Sequence, residues 1–395
     1  MKSASIQIWG FACAGVVWAC SSSPSPSPDA AVEAGNDAGA TLTAIALQGC
    51  PFLGYTAPVS FAGQTAQLLL DTGSTTTTVG LSTCATCKAA ADTYGGSCST
   101  TALNETYQDG SSWTGVVCNA DVSVGAEAPS VTINFVGMQT QQGIYEDYDC
   151  QAKPISSAFN EGVLGLGPSE GNIITGGDPS NAYMTALTQA GVADVFAVLL
   201  CSSGGQLWFG GYDASYASGP PQYTPMAGGN EWYVGLSDIQ LGTQSLGGAD
   251  PKIPVDTGTD GLWIGTSAHA ALVSALAQSS AFTSIFGSDG ATALFTNGKC
   301  RAPAGGQTEA DIDAALPPLG LTFPQVGGGS FTIQLPATKS YLLLLGSTGA
   351  YCAGAGDEGK ESGDGTIGGP ALRANITIFD EANAQLGFAP QSSCD

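Results

Sequence analysis

Basic residues are scarce in this chain: 9 Lys plus Arg stand against 33 Asp plus Glu, for a formal net charge of −24. A field of that sign repels a phosphate backbone and argues against DNA or RNA as a partner. Histidine is scarcer still, with His269 alone in 395 residues. One imidazole, placed mid-helix, gives little support to a His-ligated metal or a Ser-His triad. Long apolar runs are missing beyond residue 20, and Tyr341 to Leu345 is only a strand's worth. Helical periodicity is rare; Ser267 to Gln278, with Leu272, Val273 and Leu276 suitably spaced, is one of few convincing helices. What abounds is glycine, 56 residues, between short runs of aromatics, Val, Ile and Thr. That composition predicts many short strands joined by tight turns, in two domains each with its own core. The acidity serves solubility and also suits a protein that works in acid, where protonation relieves self-repulsion.

Residues 1–19 read as an export signal: Lys2 is the only charge, and Ile6 to Ala19 form a mostly apolar stretch too short to span a bilayer comfortably. The segment ends Val17-Trp18-Ala19-Cys20, which resembles a bacterial lipoprotein signal cut before a cysteine that takes lipid; ordinary cleavage after Ala19 is the alternative. Parity favours the anchor. Cys13 leaves with the signal, and the ten cysteines after Cys20 are even in number, enough for five disulfides in an oxidising compartment. The expectation is therefore an exported protein, lipid-anchored at Cys20 to the cell envelope, with secretion as the alternative. Residues 20–42, rich in Ser, Pro, Ala, Gly and Asp, predict a disordered tether.

Beyond the tether one pattern occurs twice. Leu68, Leu69 and Leu70 lead into Asp71-Thr72-Gly73-Ser74, and 185 residues later Val255 leads into Asp256-Thr257-Gly258-Thr259. Each half then repeats an apolar pair and a glycine: Val163-Leu164-Gly165 lies 94 residues after Asp71, and Thr366-Ile367-Gly368 lies 112 after Asp256. The repetition implies two lobes, 43–220 and 221–395, divided at Gly219-Pro220-Pro221, with Asp71 and Asp256 facing across a pseudo-twofold axis. Two carboxylates too close to ionise together share a proton, which supplies an acid and a base in one site without any cofactor or metal. Gly73 and Gly258 permit a sharp turn and close backbone approach. Ser74 and Thr259 are short hydroxyls placed to orient their own carboxylate, while Thr72 and Thr257 are placed to bond across the lobe interface.

From about residue 45 to the C-terminus the chain resembles the pepsin-like aspartic endopeptidases. The resemblance implies an all-β, bilobal double-barrel fold with few short helices and a cleft between lobes for an extended peptide. It also implies a flap, a hairpin whose tyrosine closes over substrate; Thr106-Tyr107-Gln108-Asp109-Gly110-Ser111, 36 residues after Asp71 at its Tyr, is similar to it and makes Tyr107, Asp109 and Gly110 substrate-facing. By the same resemblance Cys201 pairs with Cys394 and Cys300 with Cys352, while the six N-lobe cysteines keep all 15 pairings open. Two positions depart from the family. Thr78 stands where many members carry a tryptophan that bonds the flap tyrosine, and Gly369 stands where an Asp is usual. Between Cys20 and Cys50 there is no Lys, Arg or His to plug an anionic dyad, so no activation step is expected. The function expected is hydrolysis of protein substrates at acid pH by a monomer. A catalytically silent binding protein on the same fold is the alternative, but silent relatives usually lose a motif, its hydroxyl or the flap tyrosine, and all are present.

Overall fold

The computed structural model describes residues 42–87, 93–145, 149–151, 153, 159–174, 182–363 and 365–394. The export signal, Cys20 and all but the last residue of the tether lie outside them.

Short strands dominate because apolar side chains recur with period two. Thr43–Cys50 alternates buried and exposed positions and turns Ile45 and Leu47 inward. Asn375–Asp380 is buried at every position, as befits a strand covered on both faces. It lies inside an antiparallel run ordered Gln222–Pro225, Gln385–Pro390, Asn375–Asp380, Val195–Leu200, Gly205–Phe209 and Thr43–Cys50. Strands from both sides of Pro220-Pro221 thus hydrogen-bond in one sheet, which joins the two halves of the chain. Phe196 and Phe379 stack on one face at 4.6 Å, and the indole of Trp232 meets both edge-on at 5.8 and 5.2 Å. The Trp232 Nε1 then donates to the carbonyl of Leu166 (2.8 Å), so one C-lobe side chain fills the joint and satisfies its only donor there.

A local topology occurs once in each lobe with the same register. Gln64–Asp71 runs parallel to Gly162–Gly165, pairing Leu70 with Leu164 and Asp71 with Gly165. Asp250–Asp256 runs parallel to Thr366–Gly368, pairing Val255 with Ile367 and Asp256 with Gly368. Each partner strand is flanked on its other side by an antiparallel strand, Thr78–Gly80 in the first case and Leu262–Ile264 in the second. Gly165 is needed for this crossing, since a Cβ there would lie 2.5 Å from the Thr75 backbone.

The C-terminal half adds a four-stranded sheet (Gln244–Gly247, Asp238–Leu241, Leu319–Pro324, Ser330–Leu335) and most of the helix. Helix Thr266–Gln278 lays Ala268, His269, Leu272 and Leu276 inward. His269 packs against Phe295, and burial holds its imidazole below the usual histidine range. Five disulfides are present: Cys50–Cys150, Cys84–Cys87, Cys98–Cys118, Cys201–Cys394 and Cys300–Cys352. Among the described residues no helix is long and apolar enough to cross a membrane.

Candidate active site

Asp71 and Asp256 are the last residues of their strands, so each carboxylate leaves a rigid sheet edge and enters a turn. The Gly73 N–H donates to Asp71 Oδ1 at 2.8 Å and to Asp256 Oδ1 at 2.9 Å. One bridging donor keeps the two oxygens within about two hydrogen-bond lengths of each other. Ser74 Oγ donates to Asp71 Oδ2 (2.5 Å), and Thr259 Oγ1 donates to Asp256 Oδ2 (2.6 Å). The Gly258 N–H donates to Asp256 Oδ1 at 2.8 Å. Only glycine fits at these two turn positions: a Cβ on Gly73 would lie 2.6 Å from Asp256 Cγ, and one on Gly258 would lie 2.7 Å from Asp71 Oδ1.

Beneath the carboxylates the two turns grip one another. Thr72 Oγ1 donates to the Val255 carbonyl (2.9 Å) and accepts from the Thr257 N–H (3.0 Å). Thr257 Oγ1 reciprocates, donating to the Leu70 carbonyl (2.7 Å) and accepting from the Thr72 N–H (3.1 Å). Both threonines are buried, so four hydrogen bonds shielded from water fix the spacing of the dyad.

Burial pushes the Asp71 carboxyl well above the usual range, and the charge of Asp256 beside it pushes the same way. Hydrogen bonds from Ser74 and Gly73 oppose that shift without cancelling it. The arrangement therefore retains a proton well into the range where a solvated aspartate has lost one.

Over the site lies the hairpin formed by Cys98–Thr106 and Ser112–Val124. Its tip closes with Tyr107 N–H to the Ser111 carbonyl and Gly110 N–H to the Tyr107 carbonyl, Gly110 taking φ +85°. Asp109 caps the turn by accepting from the Ser111 N–H and hydroxyl. Tyr107 is close enough to Asp71 to feel its charge, and Asp109 to Asp260 beside the second turn, so the tip reaches toward both lobes.

The donor for the Tyr107 hydroxyl is Trp113, whose Nε1 lies 3.1 Å away. Sequence reasoning misses this residue, because it looks for the partner only at position 78. Thr78 instead supports the strand crossing. Fully buried, its Oγ1 accepts from the Val163 N–H (3.1 Å) and holds the crossing strand under Asp71. A period-two reading finds Trp113, because it pairs with Glu105, two residues before Tyr107, and so shares a face with the tyrosine. Glu231 is missed as well. Half-buried on the loop before Trp232, it feels the charge of Asp256, and burial holds its carboxyl above the usual range.

The sequence profile of the family described as "Eukaryotic aspartyl protease" matches residues 55–391, most of the chain. The chain belongs to that family. It is 25% identical over 342 residues to an aspartic protease of Phaffia rhodozyma, covering 85% of this chain and 76% of the relative. Pepsin A of Bos taurus is 28% identical over 300 residues, or 73% and 68% of the two chains. Penicillopepsin-1 of Talaromyces stipitatus is 25% identical over 287 residues, 72% of this chain and 64% of that protein. The aspartyl protease is thus a hydrolase of the aspartic endopeptidase type, on the bilobal, mostly β fold of the pepsins. Within it the structure brings together Asp71, Thr72, Gly73, Ser74, Asp256, Thr257, Gly258 and Thr259, with Tyr107 within electrostatic reach.

Proposed function

We propose that Asp71 and Asp256 together activate one water molecule to hydrolyse peptide bonds of extended protein substrates, with an optimum in acid. The observation that carries this is the single Gly73 N–H bridging both carboxylates, each also held by a hydroxyl of its own turn. Asp71, raised by burial and by its neighbour's charge, holds the shared proton. As water attacks the scissile carbonyl carbon, the ionised half of the pair takes a proton from it. Asp71 donates its own toward the carbonyl oxygen, giving a tetrahedral diol. Collapse of the diol breaks the C–N bond while the amine leaves protonated, and the pair returns to one proton. Tyr107 and the flap tip cover the peptide and exclude bulk water.

The test is cleavage of a denatured protein by the purified chain across pH, with and without pepstatin. A bell-shaped, pepstatin-sensitive profile peaking in acid is expected, and Asp71→Asn and Asp256→Asn should each abolish turnover while keeping the wild-type melting curve. Full activity in either variant would remove the dyad from the mechanism.

The same reading extends to location: the protein is exported and lipid-anchored at Cys20. Ten cysteines engaged in five disulfides leave no partner for Cys20 within the folded part, which supports its modification. Mass spectrometry of the mature N-terminus decides it, because diacylation of Cys20 and an unmodified free thiol differ by a large, known mass.

A further inference from the structure

The strand that delivers Asp256 has two unlike faces. In Asp250–Asp256, Ile253 and Val255 are buried in the core, whereas Lys252, Pro254 and Asp256 project from the opposite, more open face. Tyr233–Leu236 pairs with it antiparallel, Tyr233 opposite Pro254 and Val234 opposite Ile253. The pairing extends one step further, since the Val255 N–H donates to the Trp232 carbonyl (3.0 Å). Trp232 and Val234 are buried with Val255 and Ile253, so Glu231 and Tyr233 fall on the face that carries Asp256. Glu231 therefore leaves the strand end alongside the Asp256 carboxylate, and it is half-buried there. The first turn closes in on the same loop: a Cβ on Gly171 would lie 2.6 Å from both the Asn230 carbonyl and Thr75 Oγ1.

Three groups share that face with the Glu231 carboxyl. The Tyr233 hydroxyl hydrogen-bonds to it, and one O–H fills only part of the acceptor capacity of two carboxylate oxygens. The Lys252 ammonium lies 4.2 Å over the Tyr233 ring, on an exposed residue, and acts on Glu231 more weakly than Asp256 does. Asp256 repels it. Burial, more than that repulsion, holds the Glu231 carboxyl above the usual range, and the Tyr233 hydrogen bond opposes the shift.

On the reading of the dyad given above, a peptide drawn across Asp256 runs over this face. We propose that Glu231 selects substrates that carry a Lys or Arg side chain close to the scissile bond. An ammonium or guanidinium set between Glu231 and the dyad meets negative charge on both sides and relieves the repulsion between them. A neutral side chain of the same length fills the same volume without that gain, and an acidic one adds a further like charge. The selection is strongest where Glu231 is ionised and fades as acid protonates it. Lys252, of the same sign as the selected side chain, limits the preference.

The experiment is cleavage by the full chain of fluorogenic peptides that differ only by Lys or norleucine, placed in turn at each position flanking the scissile bond. At one position kcat/KM for Lys should exceed that for norleucine by about three- to tenfold near about pH 6, and by less near about pH 4. Glu231→Gln should bring that ratio close to one, and Lys252→Gln should raise it by about twofold. Each readout is a ratio within one protein, so a general loss of activity or stability in a variant does not move it. Binding of the labelled peptides, read by anisotropy, runs in parallel. Were neither peptide cleaved, the dyad reading would fail and the binding ratio would still decide the subsite. A Lys-to-norleucine ratio of one at every position, or a ratio unmoved by Glu231→Gln, would overturn the proposal.

Discussion

At the scale of single residues, the flap depends on one donor. Tyr107 packs with Trp113, Ile144 and Tyr145 in a small apolar cluster of its own, and among the described residues its hydroxyl hydrogen-bonds to the Trp113 indole. Trp113→Phe keeps most of the ring's bulk and removes the N–H, so the expected loss is orientation of the flap. A drop in kcat/KM of about tenfold is expected with little change in melting temperature, as for one hydrogen bond worth roughly 1–1.5 kcal/mol. Installing the family's usual tryptophan at Thr78 has a different outcome. Thr78 is fully buried and holds the Val163 amide, so Thr78→Trp both overpacks the site and strips that N–H of its acceptor. Destabilisation by more than about 3 kcal/mol is expected. Kinetics and melting curves of the two variants separate the roles; a Thr78→Trp protein with normal stability would contradict them.

At the scale of elements, what the sequence revealed was local. The Asp-Thr-Gly turns, the apolar strands feeding them and the hairpin tip at Gly110 are each written in a short run of consecutive residues, and their chemistry is legible there. The joining sheet is not. Asn375–Asp380 reads as any buried strand, and nothing in NITIFD says that it pairs with Val195–Leu200, on the far side of the Pro-Pro break. N-lobe cysteine pairing is equally non-local: Cys50 reaches Cys150 across 100 residues while Cys84 takes Cys87 three residues away. Trp113 escapes for another reason, since a search by family position looks where a partner usually is and not across the diagonal of the hairpin. Among these non-local links, Cys201–Cys394 ties the final residues to the end of a joining strand across a separation of 193. A loop of that length is expected to stabilise by roughly 4–5 kcal/mol in the chain-entropy view. Cys201→Ser with Cys394→Ser should therefore lower the denaturant midpoint strongly, and an unchanged midpoint would show that the bridge constrains nothing the unfolded chain explores.

For the molecule as a whole, the sign of the charge decides the pH at which it is stable. Asp71, Asp194, Glu231 and Glu381 are all held above their ordinary range, with burial the first cause in each. Asp149 and Asp311 are lowered by local hydrogen bonds, but they sit at the surface, where solvent screens the gain. Glu381 is pushed up to about 7 by burial and then by the charge of Asp194, with Glu170 adding to it and hydrogen bonds from Ser169 opposing it. It lies in the turn between Asn375–Asp380 and Gln385–Pro390, where Asp380 is already engaged by Asn383 and Gln385, so those amides are committed elsewhere. A carboxyl whose folded value exceeds its unfolded one binds more protons in the folded state. Its favourable contribution is thus complete below about pH 4.5, is lost as the pH rises through about 7, and stays lost above it. Acid, the condition proposed for turnover, is thus also the condition in which the Glu381 carboxyl favours the fold. Glu381→Gln removes the titration. The variant should match the wild type at pH 4 and exceed it at pH 8 by about 1–2 kcal/mol, the full linkage value discounted for partial exposure. Chemical denaturation at the two pH values measures this directly, and an equal stability difference at both would mean that Glu381 does not titrate with folding.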